Sequence, residues 1–251
     1  MAGQDRRAVL ADVAIELVAT QGIRALTHRA VDAAAGMPIG TTSAYFRTRK
    51  ALLTGLVRRM ADLDEADLKR HGVPSEPPGG RPRIVRVTRV TPVTRVTRFP
   101  ARPLPPKTTP ATDVSAASDG LTGADLDRVA GTMAVIIDHW LGPARNRSLA
   151  RYACSLEAVH LPELRDLLSP HHAASQAALS ALIARAGVPD PDRRARDFGS
   201  YVDGLILRRV LGMAVPPPPP PGTPESVAEL RGLLRALLTS VIGLDELSGA
   251  G

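Results

Sequence analysis

The side chains whose types and spacing could do chemistry fall in one short stretch. Thr41, Thr42, Ser43 and Tyr45 form a hydroxylated run, framed by Arg24, Arg29, Arg47, Arg49, Lys50, Arg58 and Arg59. Against these seven cations residues 24–59 hold a single acid, Asp32, a local net charge of +6. Hydroxyls reach base edges and phosphates on short arms, and guanidinium and ammonium groups pair with anionic oxygens. The chemistry on offer is the binding of a polyanion. Covalent chemistry has no such support. No G-x-S-x-G, phosphate-loop or dinucleotide fingerprint occurs, and Cys154 and His160 are six residues apart, off the spacing that brings two side chains together on a helix. His139, His160, His171 and His172 lack the H-x3-H or H-E-x-x-H spacing of a metal site. The expectation is of a protein that is not an enzyme, with no catalytic residues, no metal and no cofactor.

Bulk composition fits this reading but does not carry it. The 251 residues are 44% hydrophobic, 23% charged and only 3% aromatic, so a core must be built from Leu, Val, Ile and Ala. The net charge of +7 equals that of residues 73–111, which hold eight basic groups and one acid; the flanking parts nearly cancel. One cysteine excludes an intrachain disulfide and suits a reducing compartment. No apolar run approaches the roughly 18 residues of a membrane span, and no secretory signal follows the first residues. A cytoplasmic protein without a membrane partner is expected.

Short helices with tight turns must position the hydroxylated run. Leu10, Val13, Ala14, Leu17 and Val18 make the stripe of a first helix, ended by Gly22. Thr27 can cap a second helix that stops at Gly36. Pro38 suits the first turn of a third helix over about residues 39–46, with Ala44 and Phe46 turned inward. Thr48 can cap a fourth, over 48–71, with Leu52, Leu53, Leu56, Val57 and Met60 inside. Residues 73–120 hold ten prolines and an Arg-Val-Thr repeat of period three, which fits neither helix nor strand, and read as a disordered or extended insert. Beyond it, five helices are predicted near 122–141, 145–168, 171–187, 192–213 and 224–243, with Leu149, Tyr152, Ala153 and Leu156 as the inner stripe of the second. The last is apolar nearly all round, which calls for burial on several sides, by a second copy of the chain or within one copy. Arg208 and Arg209, inside an apolar stretch, could meet an anionic effector or an acid on another helix.

A helix, a Gly-containing turn and a second short helix make a helix-turn-helix unit. Residues 6–60 resemble the DNA-binding domain of the tetracycline-repressor (TetR) family of transcription regulators. The family pattern Ala-Gly-Val-Ser-x-Gly-Thr-Leu-Tyr-x-His-Phe appears as Ala35-Gly36-Met37-Pro38-Ile39-Gly40-Thr41-Thr42-Ser43-Ala44-Tyr45-Phe46, followed by Thr48-Arg49-Lys50-Ala51-Leu52. Ser43 stands where the family usually has Tyr, Tyr45 where it has His, Arg49 where it has Lys, and Lys50 where it has an acid.

The resemblance implies an all-α protein of about nine helices. It would have an N-terminal three-helix helix-turn-helix domain over 1–72 and a C-terminal helical domain for effector binding and dimerisation over 121–251. A homodimer would place two recognition helices in successive major grooves about 34–36 Å apart on a palindromic DNA operator. Thr27, Thr41, Tyr45, Arg49 and Lys50 are candidates for phosphate contacts, and Pro38, Ile39, Thr41 and Thr42 for base edges, with His28, Arg29, Gly40 and Ser43 at the same surface. A small-molecule effector would meet Met133, Ile137, Trp140, Tyr152, Leu156, His160, Phe198 and Tyr201. Leu205, Val227, Leu230, Leu234, Leu237, Leu238 and Val241 would form the dimer interface. The expected function is that of a transcriptional regulator, a repressor released by its effector. The alternative is a nucleic-acid-associated protein whose C-terminal domain docks another protein and takes no small ligand.

Overall fold

The computed structural model describes residues 2–72, 123–185 and 187–242. The predicted insert, 73–120, lies outside the described residues. Among those described there are nine α-helices and no strand: α1 Ala2–Gln21, α2 His28–Ala34, α3 Thr41–Tyr45, α4 Arg49–Arg70, α5 Gly123–Leu141, α6 Arg145–Glu157, α7 Pro162–Arg185, α8 Pro191–Val210 and α9 Pro224–Ile242. A single 3-10 turn, Ile23–Ala25, joins α1 to α2.

The helix ends follow from local chemistry. The Thr27 hydroxyl accepts from the Ala30 amide at 3.1 Å, and that of Thr48 from Ala51 at 3.0 Å, so each satisfies a first-turn N–H that has no partner within the helix. Gly36 stops α2 with φ 62°, a left-handed conformation that costs a residue without a Cβ little. Two boundaries differ from the sequence reading. Pro38 is not in the first turn of α3. It precedes the helix, in a turn closed by Met37 N–H to the Asp32 carbonyl at 2.9 Å and Thr41 N–H to the Pro38 carbonyl at 3.1 Å. The helix expected over 145–168 is instead two, α6 and α7: Pro162 opens α7, where its missing N–H costs nothing, and α7 then runs through the exposed Pro170.

Two cores hold the helices. The first is built from α1, α2 and α4 around Leu10, Leu26, Val31, Leu52, Leu53 and Leu56, all with no exposed surface. It continues into α6 and α7 through Ala150, Cys154, Ala158, Leu164 and Leu168. The small side chains of α6 let it lie close to α1, so its buried face is not the Leu149–Leu156 stripe, and Leu156 is 72% exposed. The second core joins α5, α8 and α9. There Leu230, Leu234 and Leu238 interleave with Leu126, Ala130, Ala134 and Ile137, and Asp127 of α5 pairs with Arg235 of α9 at 3.1 Å.

Candidate nucleic-acid interface

α3 is five residues long and buries one of them, Thr42, so apolar burial alone cannot fix its position. Asp32, on α2 and 1% exposed, supplies what is missing. Its Oδ1 accepts from the Thr42 amide at 2.6 Å and the Thr42 hydroxyl at 2.5 Å, and its Oδ2 from the Gly40 amide at 2.8 Å. Burial by itself would push the Asp32 carboxyl up. The Thr42 hydroxyl, the Thr42 and Gly40 amides and nearby His28 outweigh it, and the carboxyl is held below the usual range. Gly40, with φ 95°, is the left-handed residue that lets the chain turn from Ile39 into the helix.

The far end of α3 is clamped as well. His28 Nε2 donates to the Phe46 carbonyl at 2.6 Å. The Phe46 ring is fully buried against Gly55 of α4, where a Cβ would stand 2.8 Å from Cζ and nearer still to Cε1. Arg7 of α1 lies over the same ring, 4.8 Å from its centroid. The Arg49 guanidinium donates to the carbonyls of Leu26 and, at 3.1 Å, of Ile23, tying the start of α4 to the turn before α2.

These contacts sort the predicted residues. Pro38, Ile39, Gly40, Ser43, Lys50, Thr27 and Arg29 are exposed, as are Arg24 and Arg47, and Thr41 and Tyr45 are half-buried. Thr42 is a correction: it has no exposed surface and cannot touch a base, because its hydroxyl and amide both serve Asp32. His28, half-buried, and Arg49, at an exposed position, are both engaged by backbone carbonyls. Ala44, expected inside, is exposed. By sequence Asp32 counts only as the single acid among seven cations. The one signal pointing to it was an acid within an Ala- and Val-rich helix, ten residues before a threonine.

The C-terminal candidates separate in the same way. Ile137 and Phe198 are buried in the second core, and Met133, Trp140 and Tyr152 are half-buried against it. Leu156, His160 and Tyr201 face outward, Tyr201 with 63% of its surface exposed, and so line no interior. Leu230, Leu234, Leu238 and Val241, expected at a dimer interface, are buried on the α5 side within one chain, while Leu205, Val227 and Leu237 pack half-buried on that core. Arg209 meets an acid on another helix, Glu229 of α9, at 3.0 Å. Cys154 is buried, and burial pushes its thiol up to about 12, far from reactive thiolate chemistry.

An ion network unseen in the sequence links the end of α4 to α5 and α6. Asp67, 3% exposed, pairs with Arg147, with Arg70 at 2.9 Å and with His139 at 3.5 Å, and accepts from Trp140 Nε1 at 3.3 Å. Asp64 faces Arg147 Nε at 3.0 Å and pairs with Arg151, whose guanidinium lies 5.4 Å over the Trp140 ring. Burial pushes Asp67 up, but Arg147, His139 and Trp140 bring it net below the usual range. Burial dominates at Asp64, which is raised despite Arg151 and Arg147. Among the described residues no group of three His, Cys, Asp or Glu is placed to hold a metal ion, and no helix is long and apolar enough to cross a membrane.

A short helix presented by a left-handed turn, clamped at both ends and ringed by cations, defines a helix-turn-helix unit on an all-α scaffold. Solved structures share that scaffold. A TetR-family member from Streptomyces coelicolor A3 is 22% identical, with 93% of this chain and 98% of the other covered at a TM-score of 0.56. A transcriptional regulator from Rhodococcus sp. Rha1 is 17% identical, with coverages of 93% and 96% and a TM-score of 0.58. The multidrug binding protein EbrR complexed with ethidium is 22% identical, with coverages of 92% and 98% and a TM-score of 0.52. No curated protein matches the sequence. Residues 124–240 match the family model described as Tetracyclin repressor-like, C-terminal domain.

Proposed function

We propose that this protein is a DNA-binding transcriptional regulator of the cytoplasm that acts as a homodimer and releases a palindromic operator when a small effector binds its C-terminal domain. The observation that carries the reading is the locked α3, whose outer edge of Ile39, Gly40, Ser43 and Ala44 stands free among Arg24, Arg29, Arg47 and Lys50. Phosphate contacts from Thr27, Thr41, Tyr45, Lys50 and the arginines would set orientation, and the outer edge of α3 would meet base edges. Dimerisation would use the outer faces of α8 and α9, where Tyr201 and Leu233 are exposed, with Leu211 exposed just past the end of α8. The EbrR complex with ethidium supports a small-molecule site in a domain of this fold. Met133, Trp140 and Tyr152 are the half-buried side chains best placed to border one. An effector that moved Trp140 would disturb Arg151 and Asp67, and through them α4, whose first turn adjoins α3. Selection of bound sequences from random double-stranded DNA tests the reading. Enrichment of a palindrome with half-sites about one helical turn apart is expected, and no enrichment would overturn it.

A further inference from the structure

The side chains that pair in bidentate fashion with purines in the major groove are Arg, Lys, Asn and Gln. From Met37 to Phe46 the chain holds none of them, nor any acid to accept from cytosine. Of its three hydroxyls on threonine and serine, Thr42 is enclosed beneath Asp32, and Thr41 is turned back onto the Pro38 carbonyl at 2.7 Å. Only Ser43 remains outward.

What projects instead is aliphatic. Ile39 is 81% exposed at the tip of the turn, Ala44 is exposed further along α3, and nothing lies within 4 Å of where a Gly40 Cβ would stand. Leaving an isoleucine in water forgoes burial, and the turn that presents it is fixed by Pro38 before it and by the Asp32–Gly40 bond after it. The apolar group that duplex DNA offers in the major groove is the C5-methyl of thymine.

We propose that Ile39, with Ala44, reads thymine methyl groups, so that the operator half-site is specified at A·T pairs by apolar contact, with Ser43 adding a hydroxyl hydrogen bond. This rests on the DNA-binding reading above. The contact is short-ranged and non-directional, so it discriminates only if the side chain is held at a fixed depth. The three bonds to Asp32 hold it there.

The test takes the operator recovered by selection and replaces its thymines one at a time by deoxyuridine, which removes the methyl and keeps every hydrogen-bonding group. Affinity should fall about fourfold at one or more positions per half-site, the equivalent of roughly 0.8 kcal/mol for a buried methyl-sized group. Ile39→Ala, at an exposed position that leaves the thermal midpoint unchanged, should bind the thymine operator about fourfold more weakly. It should also lose the distinction between thymine and uracil at that position. A half-site without thymine, equal affinity for the uracil operator, or discrimination retained in Ile39→Ala would overturn the methyl contact alone. If selection returned no site at all, both this inference and the DNA-binding reading would fall.

Discussion

Two buried aspartates hold a following helix in place, one in each half of the molecule. Asp32 caps α3 through Gly40 and Thr42, within ten residues of itself. Asp138, 6% exposed on α5, accepts from the Gly222 amide at 2.9 Å and the Ser226 hydroxyl at 2.6 Å, 84 and 88 residues away, and so fixes the start of α9. The chemistry is the same, but the weight it carries is not. α9 also buries Leu230, Leu234, Leu238 and Val241, whereas α3 buries only Thr42, with Phe46 just beyond its end. A long helix with an apolar face is positioned by area and adjusted by its cap. A five-residue helix is positioned by its cap and by the ring at its far end. The surface proposed to read DNA is therefore fixed by few, strong and separable contacts.

The largest effects should come from removing apolar anchors in either half. Phe46→Ala should cost about 3–5 kcal/mol of stability and Leu234→Ala about 2–5 kcal/mol, read by denaturant unfolding. Only the first should also abolish operator binding at temperatures where the variant is folded. Gly55→Ala approaches the same site from the other side: its Cβ collides with the Phe46 ring and should cost about 1–3 kcal/mol. Equal binding losses in the Leu234 and Phe46 variants would break the comparison.

Next come the two caps. Asp32→Ala strands the buried Thr42 hydroxyl and two amides and should cost about 2–3 kcal/mol, with operator affinity down more than tenfold. Adding Thr42→Val should restore part of the stability by removing the stranded hydroxyl. Asp138→Ala should cost about 1–2 kcal/mol and leave DNA affinity within about twofold. A drop in affinity as large as that of Asp32→Ala would show that the start of α9 also governs α3.

Acid titration sharpens the contrast through opposite signs. The folded-state carboxyl of Asp32 is lowered, so its contribution is present above the ordinary carboxylate value of 3.8 and is lost as pH falls through the lowered one. Asp32→Asn should therefore flatten the loss of stability below about pH 4. Asp64 is raised by burial, so its ionisation opposes folding, and that cost is relieved as pH falls through the raised value. Asp64→Asn should remove this opposing slope, and unfolding free energy measured between about pH 3 and pH 6 distinguishes the two. The smallest effect is expected from Arg47→Ala, at an exposed position. It should lower the slope of log affinity against log salt by about one unit while leaving stability and sequence preference unchanged.

The first half of the chain was the more legible because its determinants are local. Thr27 and Thr48 cap helices three residues downstream, Gly36 turns the chain at its own position, and the α1 stripe recurs every three or four residues. The helix-turn-helix and its surroundings could be read from such patterns. Which hydroxyl faces outward could not. Thr41, Thr42 and Ser43 look alike in sequence, and only the carboxylate of Asp32 on the neighbouring helix separates the enclosed one from the exposed one. In the C-terminal half, periodicity identified apolar faces without naming what covers them. α9 turned out to spend its leucines on α5, and α6 to turn Ala150, Cys154 and Ala158 toward α1.

By itself, then, the sequence determined that this is an all-α chain with a basic helix-turn-helix near its start and helices ending at particular caps and glycines, because those signals act over three or four residues. Tertiary structure alone decided that Asp32 is a clamp, that Thr42 serves the protein and leaves the surface to Ile39 and Ser43, that Arg49 ties the start of α4 to the turn before α2, and that Asp64 and Asp67 bind α4 to Arg147 and Arg151. Those pairings span 10 to 87 residues, and a helical repeat says which face is apolar but not which distant face will meet it.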